Sequence, residues 1–301
     1  MKRIKNTELI LLCLCCGLLF SACKNREKRM DDGFRFEENM KLSDIEVTKS
    51  FVYLFPAPGE VLDRFYNADL QYIENLLHDP GKSDTYLTVK EKGLNLGIYI
   101  TDMAYCALFS RNSEATDYLE VIRKLTSDLN VSTTVFESLI DRARNNIGQR
   151  DSLVTISNEV FYNMVEFLEE SGQENAIAII SSGAYIESLF LALNSVEEFD
   201  QDDPIIRQIS EMKYPMENLM GHAESASDDP NVQSILKFII GLNNLFSELE
   251  STALNTVVSE PGVILFSGGD SPDLNQDNFD EMKQMVLLIR ENIISNNLES
   301  K

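Results

Sequence analysis

Histidine is nearly absent: His78 and His222 are the two in the chain. That is too few for a histidine-rich zinc site or a two-iron centre, and neither stands in Glu-x-x-His or His-Glu-x-x-His spacing. A serine triad would need one of them as base, and no Gly-x-Ser-x-Gly is present to present the nucleophile. Basic residues are scarce as well. Lys and Arg number 26 against 49 Asp and Glu, a net charge of −23, and a surface of that sign repels phosphate, since polyanion affinity comes from counterions released by Lys and Arg. No nucleic-acid partner is expected. Gly268-Gly269, within Ser267-Gly-Gly-Asp-Ser271, lacks the lysine and spacing of a phosphate loop. Strand signals are few: Thr256-Val-Val and Val263-Ile-Leu-Phe, separated by Ser-Glu-Pro-Gly, read as one small hairpin.

What fills the chain instead is helical periodicity. Tyr118, Val121, Ile122, Leu125 and Leu129 recur at i, i+3, i+4, i+7 and i+11, and Val232, Ile235, Leu236, Ile239, Leu242 and Leu249 form a second stripe. Helices are predicted near 59–78, 84–110, 114–129, 134–147, 152–170, 174–194, 204–224, 230–252 and 276–296. Asp203-Pro204 and Asp229-Pro230 supply an N-cap followed by proline, Thr134 with Glu137 supplies a capping box, and Gly172 closes the helix that reaches Leu168. Pro215 should kink the seventh helix, because it has no amide donor and its ring crowds the preceding turn. The sixth helix is apolar nearly all round, which makes it the central buried one. The fold class is therefore all-α: one multi-helix domain, 57–301, of about nine helices, with the hairpin as its only sheet element.

The first residues carry a different signal. Met1-Lys-Arg-Ile-Lys-Asn leads into the apolar run from Leu9 to Phe20 and then Ser21-Ala22-Cys23, too short a run for the ~20 residues that span a bilayer. This resembles the signal peptide and lipobox of bacterial lipoproteins, although Phe20 replaces the usual aliphatic residue. The resemblance implies cleavage after residue 22, diacylglycerol on the Cys23 thiol and an acylated new amino terminus. Residues 1–22 are then the signal peptide and 23–56 a lipidated flexible tether. Loss of Lys2, Arg3, Lys5 and Glu8, together +2, takes the whole-chain −23 to −25. Acyl chains on Cys23 supply the membrane attachment. Cys13, Cys15 and Cys16 leave with the signal peptide and Cys23 takes lipid, so Cys106 alone remains and no internal disulfide forms. Cys106 lies in Met103-Ala-Tyr-Cys-Ala-Leu-Phe109 and reads as a core thiol.

A weak repeat runs through the helices. Phe65-Tyr66-Asn67 recurs as Phe161-Tyr162-Asn163, and Gly97-Ile-Tyr99-Ile100 as Gly183-Ala-Tyr185-Ile186, at separations of 96 and 86 residues. Duplication explains this, and so does the general suitability of aromatic residues and glycine for helix contacts.

Candidate chemistry is confined to a few carboxylates. Asp273-Leu-Asn275-Gln-Asp277 imitates the start of a calcium loop, but Asn278 stands where glycine is needed and Gln284 where the bidentate acid belongs. Helix capping accounts for it, and no metal or cofactor is expected. Glu74 and His78 are one helical turn apart, with His78 read as a C-terminal histidine before Asp79-Pro80-Gly81. Asp102 shares its helix face with Tyr99, Tyr105, Cys106 and Phe109, and Glu187 with Gly183, Phe190 and Leu191. A carboxylate so placed must find a cation or donors, or stay protonated. Asp102, Glu187, Tyr99 and Tyr185 are thus the candidate binding or buried polar residues. The acids serve a structural ion pair with Arg142 or Arg144, a hydrogen bond to a tyrosine, a basic ligand, or general acid catalysis.

The glycine, tyrosine and acid pattern with the lipobox is similar to helical lipoproteins of the diderm cell envelope. The resemblance supplies no substrate and no catalytic residue; an outer-membrane lipid anchor facing the periplasm or the cell exterior, a monomer, and an envelope protein or small ligand as partner are expected. Two functions are open: a helical binding or scaffolding module, and a hydrolase using carboxylates. Asp102, Glu187 and a further acid in a water-filled cleft would favour the hydrolase; burial of both acids against arginine would remove it.

Overall fold

The computed structural model describes residues 55–297 except 132, 147, 250–254, 261–262 and 268–271, with the backbone alone for 133–136, 255–260 and 263–267. The signal peptide, Cys23 and the tether to residue 54 lie outside the described residues, as do the side chain of Thr134 and the Gly268-Gly269 pair. Among those described, ten α-helices form the domain: α1 (Pro58–Asn67), α2 (Val89–Leu108), α3 (Asn112–Asp128), α4 (Thr133–Asn145), α5 (Arg150–Glu170), α6 (Glu174–Ser195), α7 (Pro204–Glu211), α8 (Lys213–Ser225), α9 (Pro230–Glu248) and α10 (Gln276–Ile294). Between α9 and α10 the backbone forms an antiparallel pair, β1 (Asn255–Glu260) and β2 (Val263–Ser267), in the register Val257 to Leu265.

Asp203 and Asp229 cap α7 and α9, accepting from Ile205 N at 3.0 Å and Asn231 N at 2.7 Å. Gly172, at φ +69°, ends α5 in the left-handed conformation that glycine tolerates.

Three predicted helices are corrected. The first stops at Asn67 instead of 78. Asp69 and Asn75 adopt left-handed φ of 72° and 63°, which a helix cannot contain and which short polar side chains accept. Residues 68–88 are therefore an irregular segment holding one 3-10 turn, Pro80–Thr85, and α2 begins only at Val89. There Thr88 and Glu91 form a reciprocal capping box, with Glu91 N on Thr88 Oγ1 at 3.2 Å and Thr88 N on Glu91 Oε2 at 3.0 Å. The seventh predicted helix does not kink but breaks in two at Met212, three residues before Pro215. Proline lacks an amide to continue the ladder. The Met212 carbonyl accepts from Met216 N at 3.1 Å, a bond that opens the next helix, and from the Tyr185 hydroxyl at 2.9 Å.

The core is organised around α2 and α6. From Gly93 to Leu108 and from Ile177 to Leu193 every residue is buried. The apolar window of α6 is long and apolar enough to cross a membrane, yet 94% of it is covered by the rest of the domain. The two helices lie side by side in the same direction: Gly93 meets Ile179, Gly97 meets Gly183, and Thr101 Oγ1 reaches Ala184 O at 3.4 Å.

The closest approach is reciprocal. A Cβ on Gly97 would stand 2.0 Å from Ile180 O, and one on Gly183 would stand 1.9 Å from Leu94 O. Leu94 and Ile180 are 86 residues apart, as Gly97 and Gly183 are, so the contact has the form of a local twofold between the two copies of the repeat. Tyr99 and Tyr185, also paired by the repeat, each hold a backbone carbonyl outside their own helix, Asp79 O and Met212 O.

Candidate functional site

The two helices that meet at Gly97 and Gly183 bring Asp102 and Glu187 together one turn further on. Both are 0% exposed. The cation between them comes from α10: Arg290 donates through Nε to Glu187 Oε2 at 2.6 Å and through Nη2 to Oε1 at 2.9 Å, a bidentate pair. Its guanidinium lies 4.0 Å from the centre of the Phe190 ring. The cations expected from sequence are elsewhere: Arg142 pairs with Glu159 and Arg144 with Glu120, all in contact with solvent.

Asp102 faces the irregular segment. Its Oδ2 accepts from His78 N at 3.1 Å, while Oδ1 is buried without a conventional donor. Burial first, and then the charge of Glu187, hold its carboxyl well above the usual carboxylate range, with Arg290 opposing.

Around this pair, side chains of the core bind the backbone of the segment. Tyr105 donates to Gln71 O at 2.8 Å and accepts from Ile73 N at 2.9 Å. Arg290 Nη2 reaches Leu76 O at 3.4 Å, the Tyr118 hydroxyl donates to His78 O at 2.8 Å, and Tyr99 donates to Asp79 O at 3.0 Å. Backbone that makes no ladder of its own is satisfied by the core instead.

His78 is therefore not the end of a helix beside a polar turn. Its ring is buried, stacks on Tyr99 at a centroid distance of 5.1 Å, and its Nε2 bonds the Tyr86 hydroxyl. Glu74, by contrast, is exposed, and the two share nothing. Burial first, then the neighbouring Arg290, push the His78 imidazole down to about 4.

An unfolded histidine takes a proton below about 6.5 and this folded one only near 4, so stability conferred by neutral His78 is complete above 6.5 and lost as pH falls toward 4. Denaturant unfolding across that window should show a loss approaching roughly 3 kcal/mol, and His78→Gln should remove most of the slope. An unchanged slope in that variant would assign the acid sensitivity to other groups.

The four residues singled out from sequence are all buried, and three of them, Asp102, Glu187 and Tyr99, belong to this cluster. Tyr185 does not. Its ring packs near Phe55 and Phe246, and its hydroxyl holds Met212. Cys106 is buried beside the cluster, and burial raises its thiol pKa.

Arg290 and Tyr118 were not singled out, and His78 was read as a helix end and not as part of this cluster. A signal existed for Arg290, which stands four residues after Val286 and three before Ile293 on the buried stripe of α10. An arginine on an apolar stripe needs a buried partner.

Asn275, the middle of the calcium-like spacing, is the N-cap of α10, its Oδ1 accepting from Asn278 N at 2.9 Å, and no group of three metal-ligating side chains occurs among the described residues. A surface groove lined by Arg142, Asn146, Asp151, Ser152, Thr155 and Ile156 contains no member of the carboxylate cluster.

Chemically the cluster is an enclosed ion pair with an extra acid. Neither carboxylate meets water, so neither can activate a hydrolytic water in this conformation. Comparison with family models, with curated proteins and with solved structures finds no match for the chain.

Proposed function

We propose that the protein is a lipid-anchored component of the cell envelope whose helical domain is a binding or scaffolding module. The observation that carries the choice between module and hydrolase is the burial of Asp102 and Glu187 around Arg290. The acids best placed for hydrolysis are occupied in holding the domain closed, which leaves recognition to the outer surface. The anchor rests on the lipobox-like Ser21-Ala22-Cys23.

Cys23→Ser tests the anchor. The variant should leave the membrane pellet for the soluble fraction after a high-salt wash and keep the helical circular dichroism of wild type. Retention in the pellet would replace the lipidated thiol with an uncleaved anchor or with lipid binding by the domain. Asp102→Asn tests the choice of function. A folded variant that restores the phenotype of a deletion strain supports the module, and a folded variant that fails to restore it and also loses a hydrolytic turnover measured in the wild type returns the hydrolase.

A further inference from the structure

Two carboxyl groups and one guanidinium are enclosed together, and their charges do not balance if both acids are ionised. Arg290 faces Glu187 through Nε and Nη2, and neither of these bonds goes to Asp102. Asp102 Oδ2 is taken by His78 N, and Oδ1 is the buried oxygen left without a conventional donor, with Glu187 the neighbouring carboxyl group. An uncompensated buried negative charge is costly, and like charges in contact on facing helices add to the cost. A proton on Asp102, shared with Glu187, removes both problems and leaves a neutral set.

We propose that Asp102 and Glu187 share a single proton, and that this proton is a switch that docks the segment from Gln71 to Asp79 on the core. The segment is suited to follow it. Asp102 holds the amide of His78 and Tyr118 holds its carbonyl, while Arg290, fixed by Glu187, reaches Leu76. Loss of the proton places two negative charges against one cation directly beneath that backbone.

The other groups facing Asp102 do not compete for the role. Tyr118 on α3, with Tyr99, Tyr105 and Cys106 on its own helix, are all raised by burial and stay neutral. His78, lowered by burial to about 4, is already neutral where pH rises from neutrality. Deprotonation of Asp102 is therefore the event that charges the cluster as pH rises. An acid with a raised folded pKa stabilises below its unfolded pKa and loses that contribution as pH rises through the folded value.

The test compares wild type, Asp102→Asn and Glu187→Gln as the intact helical domain with its tether. Isotope-edited infrared should show the C=O stretch of a protonated carboxyl in wild type at neutral pH. Both variants should lack it: Asp102→Asn has no acid there, and in Glu187→Gln the remaining Asp102 must ionise to balance Arg290. Hydrogen exchange of amides 71–79 should accelerate by about tenfold or more in wild type, relative to Asp102→Asn at the same pH, over the range in which the band disappears.

A missing band in wild type overturns the shared proton, and so does its persistence in Glu187→Gln. A band that titrates away with no difference in exchange overturns the switch, as does a band that persists to the alkaline limit of the fold. Failure of Asp102→Asn to fold also counts against the proposal, because a neutral amide should replace a neutral acid of the same size.

Discussion

Gly183→Ala is expected to lower the stability of the domain by more than about 3 kcal/mol. The added methyl would stand 1.9 Å from Leu94 O and 2.8 Å from Leu94 C. Those are backbone atoms in the middle of a buried helix, so no rotamer change relieves the clash and α2 must move bodily away from α6. Every layer packed on the two helices then loses contact, in a domain whose total stability is ordinarily about 5 to 15 kcal/mol.

Gly221→Ala is the control. It sits within α8, where an added Cβ would meet nothing within 4 Å, and alanine there should raise stability by up to about 1 kcal/mol. Urea unfolding of both variants makes the comparison. A loss at Gly183 of under about 1 kcal/mol would mean that the two helices are not held at this distance in solution.

Glu187→Ala should be the second most damaging change. It leaves the Arg290 guanidinium buried without its bidentate partner, and breaking a buried ion pair from one side costs about 3 to 5 kcal/mol. The loss is not confined to α6 and α10, because Arg290 also reaches Leu76 O. The same variant should therefore release amides near Leu76 in hydrogen exchange before the helices open. Truncating Arg142, whose partner Glu159 is on the surface, should cost under about 1 kcal/mol. If the two truncations prove equally mild, the interior ion pair contributes little and the cluster has another purpose.

Much of the helical order was legible because it is written locally. Asp203, Asp229 and Gly172 mark helix ends within one turn of the residues they serve, and the stripes of α3 and α9 repeat at the period of the helix itself. Thr88-x-x-Glu91 carried the same kind of signal for the start of α2, and it places that start five residues later than apolar spacing alone suggests.

The irregular segment was not legible. Tyr72, Leu76 and Leu77 continue an apolar spacing that looks helical, and what overrides it is tertiary: hydroxyls from Tyr105, Tyr118 and Tyr99, tens of residues downstream, take the backbone groups that a helix would pair internally. The candidate site divides along the same line. Asp102 and Glu187 stood out as charges in apolar helices, a local contradiction. Their cation did not, since nothing within α6 points to an arginine 103 residues away on α10. The break at Met212 lies between these cases: Pro215 announces a disturbance, but its position depends on where Tyr185 finds a carbonyl.

The way the core grips residues 71–79 also bears on how this stretch tolerates change. The contacts from Tyr105, Arg290, Tyr118, Tyr99 and Asp102 fall on amides and carbonyls, which every residue type except proline presents alike. An exposed side chain such as Glu74 is therefore free to drift, whereas Asn75, held at a left-handed φ of 63°, and the number of residues are not. One inserted or deleted residue would carry each carbonyl past its hydroxyl and leave several buried polar groups unpaired at once. Variation here should accumulate as substitution and be purged as insertion, the reverse of what is ordinary for a surface loop.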